Sequence, residues 1–165
     1  KYGIKREAAY YKGQHSIPYA GFISNNFLIR RKVFTRLTLI EELKDYGHED
    51  TWIGIQLERI KATMYFLDNP VLHDGLEDVK DFITKSKSAV KNLKLLSEMV
   101  SADLLKKHVK LFRYYMFIKK LGLDKVFSAA YSKIHTYVFK NIHSCNPSLF
   151  LFDLYRLDML ITIKK

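Results

Sequence analysis

An α/β portion followed by an all-helical C-terminal extension is the fold this chain predicts, and three observations predict it. Two short runs, Phe27-Leu28-Ile29 and Thr63-Met64-Tyr65-Phe66-Leu67, are apolar, β-branched or aromatic, the composition of buried strands. Between them Ile53, Leu57 and Ile60 recur at helical spacing, which reads as one buried helix face. From Leu76 onward the apolar residues keep the helical period. The division falls near residue 100, with the mixed part over 1–100 and a basic amphipathic helical extension over 101–165.

The elements follow in order. Residues 1–20 interleave Lys1, Lys5, Arg6 and Lys12 with tyrosines, and Gly13 and Pro18 interrupt any long element. This reads as loop with a short helical turn. Ser24-Asn25-Asn26 leads into the first strand, and Arg30-Arg31-Lys32 closes it. Val33 to Lys44 reads as a helix or two short turns. The helix of Ile53 starts at Glu49-Asp50, with Gly47 freeing the preceding turn and Gly54 leaving room for a close neighbour. After the second strand, Asp68-Asn69-Pro70 forces a turn and Val71-Leu72-His73 runs on extended.

Asp74-x-x-Glu77 has the form of a capping box. Behind it Val79, Phe82, Ile83, Ser86, Val90, Leu93 and Leu96 form the inner face of a long helix whose outer face carries Lys80, Lys85, Lys87, Lys91 and Lys94. A second helix opens near Ser101 and runs through Leu105, Val109, Phe112 and Tyr115 to a terminator at Gly122. A third spans Asp124 to Ile142. Asn146-Pro147 caps a fourth, apolar nearly all round from Leu149 to Ile161.

Bulk properties narrow the function classes. The chain has 165 residues, 48% of them hydrophobic, which is too rich for disorder. One cysteine, Cys145, excludes an internal disulfide framework and fits a reducing compartment. No apolar run reaches the ~18–20 residues of a spanning helix. A chain that opens on Lys1 is expected to be a piece of a longer protein. The net charge of +11 lies wholly in residues 79–165, which hold 17 basic and 6 acidic side chains, whereas residues 1–78 are balanced at 11 of each.

The chemistry-bearing stretch is Tyr46-Gly47-His48-Glu49-Asp50-Thr51-Trp52-Ile53-Gly54. Two adjacent carboxylates in a first helical turn have an ordinary reading, because the positive end of the helix dipole stabilises each by roughly 0.3–1 kcal/mol. They have a catalytic reading as well, as a base and its support. Asn25 and Asn26 either shape a turn or hydrogen-bond a substrate. His48 either packs or contacts a substrate, and His73 is either structural or a metal ligand.

Three stretches together bear on these readings: Gly21 to Arg31, Tyr46 to Thr51, and Asn69-Pro70-Val71-Leu72-His73-Asp74-Gly75-Leu76-Glu77. In order and approximate spacing they resemble the acceptor half of bacterial family-2 glycosyltransferases, over about residues 1–96. The resemblance implies a partial GT-A domain of few strands plus helices. It implies an inverting enzyme that moves a sugar from a nucleotide-sugar donor to an acceptor hydroxyl in cell-surface polysaccharide or glycolipid synthesis. Asp50 then matches the general base and Glu49 its support, while Asn25, Asn26 and His48 would face substrate. His73 would help hold a divalent cation, Mg or Mn, bound mainly by an N-terminal half.

Two departures stand out. Ile40-Glu41-Glu42 replaces the family's frequent Phe-Asp-Glu, and no Asp-x-Asp motif of the donor half is present. The fragment alone is therefore expected to be inactive. Its implied partners are the nucleotide sugar and a glycan or lipid-linked acceptor, with no nucleic acid, and its implied location is the cytoplasm, peripheral on the inner membrane face. A non-catalytic alternative takes the basic helices as the working part, binding an anionic membrane surface or partner through Lys106, Lys107, Lys110 and Arg113.

Overall fold

The computed structural model describes residues 18–43, 45–67, 69, 71 and 77–163. Seven α-helices and one 3-10 turn, Pro18–Gly21, make up their regular structure. The helices are α1 (Arg31–Phe34), α2 (Glu49–Arg59), α3 (Val79–Met99), α4 (Ala102–His108), α5 (Lys110–Lys120), α6 (Asp124–Ile142) and α7 (Leu149–Thr162).

No strand occurs among the described residues, which overturns the expected α/β fold and with it the partial GT-A domain. The physical reason is that a strand exists only in a ladder. Phe27–Ile29 and Thr63–Leu67 have the composition of strands, but neither finds a neighbour to share backbone hydrogen bonds with among the described residues. Along 62–67 the exposure still alternates, with Thr63, Tyr65 and Leu67 outward and Ala62, Met64 and Phe66 half-buried, so the period of two survives without the sheet.

The helices form because their apolar periods are long and their ends are satisfied. The Asp78 carboxylate caps α3 by accepting from the Asp81 N–H at 2.8 Å. The helix thus starts just past the expected box, with Asp78 and not Asp74 as its cap; Asp74 itself lies outside the described residues. Ser148 caps α7 in the same way through the Leu151 N–H. The α5 end is a Schellman motif: Gly122 takes φ +66, its N–H donates to Lys119 O, and the Leu123 N–H donates to Ile118 O.

The expected second helix is in fact two. Val109 breaks it with extended dihedrals (φ −125, ψ 108) while its side chain stays buried. At that break His108 turns inward and its Nε2 meets Glu58 Oε2 of α2 at 2.6 Å, and Lys107 bonds the other oxygen of the same carboxylate. Burial pushes Glu58 up, but the bonds from Lys107 and His108 outweigh it and hold the carboxyl below its usual range.

The core is arranged around α7. Leu157 and Leu160 pack with Ile55 of α2, Val90, Leu93 and Leu96 of α3, Leu105 of α4 and Phe112 of α5. On the other side Phe152 and Tyr155 meet Ile83 of α3 and Tyr131, Val138 and Ile142 of α6. Each fully buried leucine contributes roughly 1.5–3 kcal/mol before entropy is charged against it. No helix among the described residues is long and apolar enough to cross a membrane.

Candidate functional site

The α2 N-terminus sits on a loop that the rest of the bundle holds in place. Gly47 takes φ +111, and a Cβ there would lie 2.5 Å from Ala89 Cβ of α3, so the loop lies directly against that helix. Asn92, one turn along α3 and buried, donates from Nδ2 to Asp45 O and to Gly47 O, both at 2.9 Å. His48 follows in the left-handed region at φ 71 and is the N-cap residue, although its side chain does not cap. Its Nδ1 instead shares a hydrogen bond of 3.1 Å with the Thr51 hydroxyl. Desolvation of the ring, and secondarily the charge of Arg156 on α7, push His48 down to about 3, so the imidazole is neutral at pH 7.

Glu49 and Asp50 occupy the first turn of α2, as the sequence predicts. Asp50 Oδ1 accepts the Ser24 N–H at 3.1 Å, which leaves Oδ2 without a hydrogen bond among the described residues. Glu49 is exposed and borders a cleft of about 210 Å³ whose other walls are Leu39, Ile40, Leu43, Trp52 and Ile53. The floor of that cleft is fixed by α2: Trp52 Nε1 donates to Thr38 O at 2.6 Å, and the buried Gln56 carboxamide both accepts from Thr38 N and donates to Thr38 O.

The remaining candidates divide. Asn26 Nδ2 donates to Asn69 O at 3.1 Å, joining the first and third of the three family-like stretches. Asn25 is exposed, with no side-chain hydrogen bond among the described residues. His73 lies outside the described residues. Among the described residues no three His, Cys, Asp or Glu side chains gather as a metal site. The Glu49-Asp50 pair offers two carboxylates, one of whose oxygens already holds a backbone N–H, and no third such side chain joins them among the described residues.

Gly54, read as leaving space, does so: its Cα faces the Tyr19 carbonyl so closely that a Cβ would collide with it. Tyr19 also donates its hydroxyl to Ala62 O at 3.0 Å, beyond the other end of α2. Two residues that hold the site, Asn92 and Gln56, went unread as such in the sequence, although polar side chains on apolar helix faces are a signal. Arg156, whose charge adds to the lowering of His48, carries no sequence signal linking it to that ring. Comparison with protein-family models, with curated proteins and with solved structures gives no match.

Proposed function

We propose that the α2 N-terminus is the acceptor-side site of an inverting glycosyl transfer, with Asp50 as the base that takes the proton from the acceptor hydroxyl. The observation that supports it most is the bond from the Ser24 N–H to Asp50 Oδ1, which fixes one carboxylate oxygen and leaves the other for a hydroxyl. Together with the Asn26–Asn69 bond it ties Ser24 and Asn26 of the first stretch to Asp50 of the second and to Asn69, the first residue of the third. A positioned carboxylate of this kind is worth about 10²–10⁴-fold in rate.

In this reading the acceptor hydroxyl approaches the free Asp50 oxygen, and Glu49, which borders the neighbouring cleft with Trp52, supports rather than abstracts. Asn26, two residues from the Ser24 that bonds Asp50, and the neutral His48, two residues before Asp50, would contact the substrate. The donor is a nucleotide sugar bound by chain beyond the described residues, which would also supply most ligands of a divalent cation; the cation would neutralise the diphosphate leaving group. Nucleotide sugars and lipid-linked acceptors meet at the cytoplasmic face of a membrane, and that is the location this reading implies.

The test is turnover in the full-length protein. Asp50→Asn lowers it by about 10²-fold or more while donor affinity stays near that of the parent, and Glu49→Gln is milder. Near-normal turnover in Asp50→Asn would leave the two carboxylates as an ordinary acidic helix start.

A further inference from the structure

We propose that the corner joining α5 to α6 is a membrane-contacting wedge that enters the headgroup region of an anionic lipid bilayer. The inference rests on residues separate from the α2 site. Within thirteen consecutive residues the chain exposes Tyr114 (61%), Phe117 (61%), Leu121 (52%), Leu123 (43%) and Val126 (63%). Tyr114, Phe117 and Leu121 share one face of α5 at helical spacing, opposite Phe112 and Tyr115, which are buried in the core. The aromatics of this helix therefore divide, two facing the core and two facing outward.

The corner is held in shape. The Schellman bonds fix the turn, and Lys119 on α5 pairs with Asp124 on α6 at 3.0 Å. Gly122 faces open space, with nothing within 4 Å of where its Cβ would stand, and the flanking Leu121 and Leu123 are exposed beside it.

Charge selects the occupant. Arg113, Lys120 and Lys125 are exposed and flank the apolar tip. Residues 105–140 hold nine Lys or Arg and a single Asp, a net of +8. A second copy would bring two such clusters face to face, which like-charge repulsion opposes. A single-stranded nucleic acid would use the charges and the two rings, but would gain nothing from Leu121, Leu123 and Val126, and it is usually tracked by a groove. Aliphatic tips beneath a basic collar suit the boundary between headgroups and acyl chains. Two of the four basic residues first expected to meet a membrane are engaged elsewhere: Lys106 with Asp103 and Lys107 with Glu58.

The experiment is co-sedimentation of the full chain with phosphatidylcholine vesicles, with and without phosphatidylglycerol, at low and high salt. Binding is expected on the anionic vesicles and is weakened by salt. Lys120→Gln with Lys125→Gln lowers the partition coefficient by about tenfold or more, since each basic side chain near such a surface is worth about fivefold. Leu121→Ser with Val126→Ser lowers it by a similar factor, about tenfold. Lys80→Gln with Lys91→Gln, exposed on α3, changes it less. All of these positions are exposed, and an unchanged far-ultraviolet circular dichroism spectrum checks that the helices are kept. Equal binding to neutral and anionic vesicles, or wild-type binding by both corner variants, would overturn the wedge. So would absent vesicle binding combined with either a dimer or an oligonucleotide complex that Phe117→Ser abolishes.

Discussion

The Asn92 carboxamide donates to Gly47 O at 2.9 Å from the middle of α3, and with the same nitrogen to Asp45 O. One buried amide thereby anchors, from a different helix, the loop that delivers Glu49 and Asp50. Within the loop the His48 side chain forms no cap, and the backbone there is left-handed. The candidate site is therefore a property of the packed bundle and not of its own local sequence.

Asn92→Leu, close in volume, is expected to destabilise the protein by about 1–3 kcal/mol, because the buried Gly47 carbonyl loses its donor while the Asp45 carbonyl, on an exposed residue, can turn to water. Asn92→Asp is at least as damaging at neutral pH, since a carboxylate offers those carbonyls no proton. Thermal melts of the two variants check this. Wild-type melting temperatures would mean that water replaces the amide without cost.

Gly47→Ala is expected to cost about 2–4 kcal/mol, from a strained backbone and from a Cβ forced into Ala89. Pairing it with Ala89→Gly removes the closer contact, at 2.5 Å, but not the one to Ala89 Cα at 2.8 Å, nor the φ of +111. A double-mutant cycle should then show partial recovery. Full additivity of the two changes would place the cost in the backbone alone.

The helices were largely legible and the site only in part. Leu93, Leu96 and Leu105 announce their faces by spacing alone, and Gly122 announces a stop. The break at Val109 was hidden because Leu105, Val109 and Phe112 keep the helical period through it, all three buried. Composition reported which residues suit a pleated surface at Thr63–Leu67, but it carries no information on whether a partner strand is there to pair with. Asp50 was legible from its first-turn position. The Ser24 N–H that holds it lies 26 residues away, a contact that no local pattern specifies.

Stability should fall on acidification through His48. The unfolded ring takes a proton near 6.5, whereas the folded ring resists until about 3. Below 6.5 the unfolded state thus binds more protons, and stability drops by up to about 1.4 kcal/mol per pH unit until the folded value is reached. His48→Asn tolerates the left-handed backbone and removes the titration. The difference in unfolding free energy between the two proteins, followed from pH 7 to pH 5 where carboxylates contribute little, isolates the effect. Parallel curves would mean that the ring titrates as freely as in the unfolded chain.

Asp50 has a structural task and a proposed chemical one, and two substitutions separate them. Asn keeps an oxygen that can accept the Ser24 N–H, so Asp50→Asn should lose only the helix-dipole contribution, roughly 0.3–1 kcal/mol. Asp50→Ala loses the hydrogen bond as well and should cost about 0.5–1.5 kcal/mol more, at the modest end because the bond is exposed. If Asp50 is the base, the full-length protein loses turnover in both variants by similar factors, even though their stabilities differ. If Asp50 merely ties Ser24 to the helix, activity should follow stability instead, with Asn near normal and Ala impaired. Unfolding curves and turnover measured on the same preparations decide it, because the two roles predict opposite behaviour for the asparagine variant.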